Sequence, residues 1–290
     1  MIMKIAAALI QRNNVRHLLE YFAWYKMLGV DTFLVHDHMS TDKSVELIRK
    51  LSNFYDIRLT QLSGNYASYV HFNLVFQHCF SGEFDWIISA DADEFYVPMQ
   101  DDNLKDFLSN YMNVQLSAIG VYWTMFGNSG HIDWEPGFVT ECYTRRAPIK
   151  HHSNHHIKSI MRGGPAGGRF WERRDGHCLG NEYGTFDADG RLIEVGLNYP
   201  GEICHDKIRI NHYYNKSWEY FKTVKQVIGQ KSDRAPGSPG TEISDEFWHQ
   251  QNFNDEEDRF TWEKFGERLK ESYNIMRNQI GMKAEFGYDN

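Results

Sequence analysis

The sequence predicts an α/β fold in which a Rossmann-like central mixed sheet is flanked by helices. Three observations predict it. Over the first hundred residues, short apolar runs of strand length alternate with segments that carry apolar residues at helical spacing. Beyond Pro98 this order gives way to a mixed half rich in Gly, His and aromatic residues. At 290 residues, 41% apolar and 24% charged, the chain is long enough to bury a sizeable core and has the composition of a globular protein.

The first strand is read from Lys4 to Ile10. Its apolar stretch is short for a signal sequence, and Gln11-Arg12-Asn13-Asn14 follows where small cleavage-site residues would stand. Val15, Leu18, Leu19, Phe22 and Tyr25 then fall at helical spacing, with Gly29 as the stop. Thr32 to Val35 is the second strand, and Ser40 or Thr41 is placed to cap a helix running to about Leu51. A short strand near Ile57 to Leu59 precedes a helix with Phe72, Val75, Phe76 and Cys79 on one face. The apolar run from Asp85 to Ala90 is a further strand, and it ends on an acidic motif.

In the second half, Asn103 to Tyr111 reads as a helix and Ala118 to Trp123 as a strand. Trp218, Phe221, Val224 and Ile228 mark one later helix. Trp262, Phe265, Leu269, Tyr273 and Met276 mark another, able to pack on the body or on a partner. The Gly-rich stretches 163–168 and 235–240 read as flexible connections. The second sets the expected division into a catalytic domain, 1–234, and a linker with a helical extension, 235–290.

Composition excludes some functions. With 31 Lys and Arg against 39 Asp and Glu, the net charge is −8, and no concentrated basic run offers a face for nucleic acid. No segment approaches the roughly 18 uninterrupted apolar residues of a membrane span, so any membrane association is expected to be peripheral. Cys79, Cys142, Cys178 and Cys204 are widely spaced, which reads as reduced thiols and a cytoplasmic setting.

Asp91-Ala92-Asp93-Glu94 directly follows a buried strand, the end of an open α/β sheet at which sites are built. Carboxylates at alternate positions suit Mg²⁺ or Mn²⁺ bridging to phosphate, and their place after an apolar strand favours that reading over acids that merely cap a turn. Tyr96 stands where an EF-hand needs glycine. Asp187-Ala188-Asp189-Gly190 is more simply a hairpin turn. His151, His152, His155 and His156 lack a third zinc ligand nearby and read as a loop that meets phosphate or sugar.

Several segments, in one order, carry a resemblance. They are residues 11–20, continuing through Tyr25-Lys26-Met27-Leu28-Gly29-Val30 to His36-Asp37-His38-Met39-Ser40-Thr41-Asp42; the acidic motif; residues 123–130; Lys158-Ser159-Ile160-Met161-Arg162; and residues 211–217. Over about residues 4 to 230 the chain resembles glycosyltransferases of family 2 and the family 92-like group. Asn14 departs from the pattern, standing where the family often has Glu. The resemblance implies a GT-A fold, a nucleoside-diphosphate sugar donor and a divalent metal. It puts Asp37 near base or ribose, Asp91 and Asp93 at ribose and metal, and His212 at metal or diphosphate. Lys158, Arg162 and Lys216 are then candidates to stabilise a departing diphosphate.

The expected activity is transfer from a UDP-sugar to a carbohydrate or glycoconjugate acceptor, with Mn²⁺ or Mg²⁺ and with inversion. An inverting transfer needs a base, and the loop after the Ala118 strand carries His131, Asp133 and Glu135, of which Asp133 is the choice. A metal-dependent phosphohydrolase or nucleotidyltransferase, and a non-catalytic carbohydrate- or nucleotide-binding module, are the alternatives.

Overall fold

The computed structural model describes residues 3–174, 178–193, 202–226 and 243–282. The anticipated alternation opens the chain: β1 (Ile5–Gln11), α1 (Val15–Met27), β2 (Thr32–His38), α2 (Ser44–Leu51), β3 (Asp56–Leu62), α3 (Ala67–Ser81) and β4 (Trp86–Ser89). β5 (Glu94–Pro98), α4 (Leu104–Ser109), β6 (Ala118–Met125), α5 (Val139–Cys142) and β7 (Arg145–Arg146) follow. Next come β8 (Ile157–Arg162), β9 (Phe170–Arg174), β10 (Cys178–Asn181), β11 (Thr185–Phe186) and β12 (Ile208–His212). α6 (Trp218–Tyr220) widens into a π-turn at Phe221–Lys225, and α7 (Asp245–Gln250), β13 (Glu256–Glu257) and α8 (Phe260–Gln279) complete the elements.

The main sheet has the order β3-β2-β1-β4-β8-β6-β12-β5, with β11 paired to β6. β1 pairs in parallel with β2 and β4, and β2 with β3; β8 is antiparallel to both β4 and β6; β12 is parallel to β6 and antiparallel to β5. The result is a mixed α/β fold. Period-two alternation sorts β1 between two layers. Ile5, Ala7 and Leu9 join the core under α1, while Ala6 and Ala8 join Phe72, Val75 and Phe76 of α3 on the other face. α1 is buried along almost its whole length because α8 covers its outer side: Trp24 meets the Phe265 ring at 5.5 Å, and Ser272 Oγ donates to the Ala23 carbonyl at 2.9 Å. The Trp262-to-Met276 helix therefore packs on the body. Residues 235–240, the expected domain boundary, and Ile228 lie outside the described residues.

Chain length forces the sheet to curl. From Ser89 to Glu94 five steps of extended chain reach about 18 Å at most, yet β5 is four strand positions from β4, about 19 Å across a flat sheet. The β5 edge instead curls back toward interior strand β4, and Tyr96 Oη on β5 donates to the Ser89 carbonyl on β4 at 3.0 Å.

Two local expectations are corrected. Ser40 and Thr41 do not cap α2: the cap position is Lys43, and Ser40 Oγ accepts from the Asn13 amide at 3.0 Å. Residues 163–168 are pinned and not a loose connection, since Gly163 N donates to the Asp85 carbonyl and Gly164 N to that of Cys79. A Cβ on Gly163 would overlap the Phe84 carbonyl, which explains glycine there. The 187–190 segment is a turn as read: Gly190 N donates to the Asp187 carbonyl, and Asp187 Oδ1 accepts from the amides of Asp189 and Arg191.

Candidate active site

β1, β2, β4, β6 and β12 all run the same way, so their carboxyl ends share one edge of the sheet. Reversed β8 brings its amino end there. A cavity of about 340 Å³ opens on this edge, within the ~300–1,000 Å³ of small-molecule sites. Gln11, Arg12, His38, His71 and Phe72 form one wall; Asp91, Asp93, Trp123, Lys158, His212 and Lys225 form the floor, with Tyr214 and Tyr220 beside them.

The acidic motif occupies the short turn between β4 and β5, and buried phenols hold that turn. Tyr21 Oη donates to the Ala90 carbonyl at 3.3 Å, Tyr25 Oη to that of Glu94 at 2.8 Å, and Tyr96 closes the other side on Ser89. Burial pushes all three phenols well above their ordinary range, so they stay protonated donors. Glu94 points inward and accepts from the Asp91 amide at 2.8 Å. Burial raises its carboxyl against the pull of Lys158, whose ammonium lies 3.4 Å away.

Each motif aspartate faces its own lysine. Lys158 Nζ is 2.6 Å from Asp91 Oδ2, and Lys225 Nζ contacts Asp93 Oδ2. Burial acts to raise Asp93, but Lys225, His212 and Lys216 outweigh it and hold the carboxyl well below its usual range. The other oxygen, Asp93 Oδ1, lies 3.6 Å from His212 Nε2. That exceeds an ordinary hydrogen bond and is near the ~3 Å between neighbouring ligands on an octahedral ion with bonds of about 2.1 Å. Carboxylate and imidazole are a donor pair that Mn²⁺ accepts, so Asp93 and His212 are the residues that would hold a divalent ion here. Among the described residues no group of three His, Cys, Asp or Glu is placed to hold an ion unaided.

The other expected residues are distributed unevenly. Asp37 is fully buried behind the cavity wall, where it accepts from Gln11 Nε2 and from the Ser40 amide at 3.2 Å; it is Gln11 that lines the cavity. Lys216 is buried under the Tyr220 ring, 4.4 Å from its centroid. Arg162 ends β8 at the opposite edge of the sheet, opposite Trp86, and caps the carbonyls of Tyr111, Met112 and Val114. Four steps of strand separate it from Lys158, about 13 Å; the structure does not bring Arg162 to the cavity. Asp133 is exposed outside the lining, on a loop tied down where the Trp134 amide donates to Glu219 at 2.8 Å. Of the histidine run, His156 reaches the site indirectly, packing on Trp123 with ring centroids 4.9 Å apart.

Sequence reasoning missed Lys225, Gln11 and Trp123. Lys225 is 132 residues from Asp93 and carries no local motif. Trp123 was read as the end of a strand and the start of a family-like segment but not as a site residue, yet its ring packs against His212 at 4.2 Å.

A glycosyltransferase family 92 protein of Oryza sativa subsp. japonica is 25% identical over 259 residues, which is 82% of this chain and 40% of that protein; the chain thus spans well under half of that relative's length. Among solved structures, S. aureus TarS 1-349 overlaps 55% of this chain and 47% of its own at 16% identity and a TM-score of 0.37. Glucosyl-3-phosphoglycerate synthase from Mycobacterium tuberculosis, in complex with Mn²⁺, UDP and phosphoglyceric acid, overlaps 42% and 43% at 14% identity and a TM-score of 0.30. Overlaps of this size carry no argument about the site. The model of glycosyltransferase family 92 matches residues 6–165, more than half of the sequence, and includes β1, the acidic turn and Lys158; the chain belongs to glycosyltransferase family 92.

Proposed function

We propose that this chain transfers a sugar from a nucleoside-diphosphate donor, UDP-linked by preference, to a hydroxyl of a carbohydrate or glycoconjugate acceptor. One observation carries the reading: two aspartates, two lysines and a histidine converge on the floor of a ligand-sized cavity at the carboxyl edge of the sheet. A site of that composition suits an anion together with the cation that neutralises it.

In this reading Asp93 and His212 hold Mn²⁺ or Mg²⁺, which when bound offsets charge on the diphosphate. Lys158 stands on the same floor, oriented by Asp91 and Glu94, where an ammonium stabilises negative charge developing on the leaving group. Gln11, backed by Asp37, and the wall formed by Arg12, His38 and His71 receive the nucleoside. The buried phenols keep the acidic turn rigid, so little reorganisation is needed when the donor binds.

The test is a donor screen that reads release of UDP, GDP and dTDP with and without Mn²⁺. UDP release that depends on Mn²⁺ and on an acceptor is the expected result. Asp93→Ala abolishes it in a folded protein, and His212→Ala raises the Mn²⁺ concentration needed for half-maximal turnover. Full activity of Asp93→Ala would remove the metal assignment, and phosphate release from simple esters with water alone would replace transfer by hydrolysis. The anomeric configuration of the product, read by NMR, tests the inversion that the family resemblance implies.

A further inference from the structure

Asp93 is shared between two kinds of partner. Oδ1 faces His212, the proposed ion ligand, while Oδ2 is already in contact with the Lys225 ammonium. Lys225 also lies 4.4 Å over the Tyr214 ring, and both side chains line the cavity. It reaches this position from the last residue of the π-turn at Phe221–Lys225, where an i→i+5 turn re-aims a side chain that α-helical spacing would send elsewhere. Behind it sits Lys216, a second buried ammonium whose Nζ has no hydrogen-bond partner among the described residues.

This crowding sets a condition on ion binding. A divalent ion added at Asp93 with Lys225 still in place would put a dication and two ammonium groups around one carboxylate. The repulsion is relieved when Lys225 releases Oδ2, and a diphosphate in the same cavity offers its ammonium a new anion within reach of a flexible side chain.

We infer that Lys225 is an exchangeable internal cation: it neutralises Asp93 before the donor arrives and passes to the donor's diphosphate when the metal ion takes Asp93. The inference rests on the metal-dependent donor reading above. Its consequence is coupling, because Lys225 competes with the ion when the diphosphate is absent and assists when it is present. Ion and nucleotide then bind with positive cooperativity, reciprocal in both directions.

The test is equilibrium binding of Mn²⁺ to the full chain, followed by electron paramagnetic resonance, with and without UDP. Without UDP, Lys225→Met binds Mn²⁺ about tenfold more tightly than the unmodified chain or tighter, since one competing charge at contact distance is gone. A site measurable only in the variant is the same result. Addition of UDP tightens Mn²⁺ binding strongly in the unmodified chain and much less in Lys225→Met, while Lys225→Arg retains the coupling. Lys225→Gln repeats the measurement if Lys225→Met does not fold. Mn²⁺ binding in a folded neutral variant that is unchanged or weaker without UDP overturns the exchange, and so does UDP-dependent tightening that survives in full. If Asp93→Asn binds Mn²⁺ as tightly as the unmodified chain does, the ion site itself is wrong and the exchange falls with it.

Discussion

Folding removes the Lys216 ammonium from water without supplying a hydrogen-bond partner among the described residues. Burial lowers its ammonium from 10.5 to about 7, with Asp93 pulling the other way and Lys225 adding to the drop. Between those two values the unfolded chain binds a proton that the folded chain does not, so this residue's contribution to stability rises with pH from about 7 to about 10.5. Lys216→Met should therefore unfold at a higher temperature than the unmodified chain at pH 6–7, with the difference shrinking toward pH 10. Thermal melts at a series of pH values read this directly, and a constant offset would remove the charge as the cause. The sequence made Asp91, Asp93 and His212 legible because each sits in a short segment with its own pattern. Lys216 lies in such a segment too, but its segment does not reveal that the Tyr220 ring covers it while Lys225 stands at the cavity. Which of two lysines nine residues apart lines the cavity depends on a π-turn, and helical periodicity does not encode one.

At the scale of elements, α8 is joined to the sheet by a buried charge network. Asp258, just ahead of the helix, takes both terminal nitrogens of Arg209 on β12, at 2.8 and 2.9 Å, and Arg146 Nε on β7 at 2.7 Å. Burial acts to raise its carboxyl, but the two guanidinium groups outweigh it and hold it at about 2. Stability from this group is present above its unfolded value near 3.8 and is lost as pH falls from there through about 2. Asp258→Ala leaves two guanidinium groups without their shared carboxylate, and the expected cost is about 3–5 kcal/mol. Urea unfolding at neutral pH checks it, and a loss under 1 kcal/mol would show that the network contributes little. β12 also illustrates why the second half of the sheet was hard to read. All five of its residues are buried, including Arg209, Asn211 and His212, so no apolar run marks it, and its short alternation Ile208-Arg209-Ile210-Asn211 resembles an edge strand open to water on one face and not the buried strand it is. The first half carries buried aliphatic runs on β1 and β4 and was legible for that reason.

The curl of the whole sheet has a consequence in time. β5 follows β4 by only a few residues, yet its pairing partner is β12, more than a hundred residues later. Pairings so distant in sequence are slow, because the chain must close a long loop before the contact repays it. Pulsed hydrogen exchange during refolding should find the amides of β1, β2 and β4 protected before those of β5 and β12, and simultaneous protection would contradict this order. On a ribosome the same topology makes the chain's chemistry a late acquisition. The acidic turn emerges early, but His212 and Lys225 are not yet synthesised, so a nascent or prematurely terminated chain carries the motif without the partners that complete it. The strand that closes the sheet thereby also marks a checkpoint on synthesis: the proposed donor site is complete only in chains translated past β12 and on through Lys225.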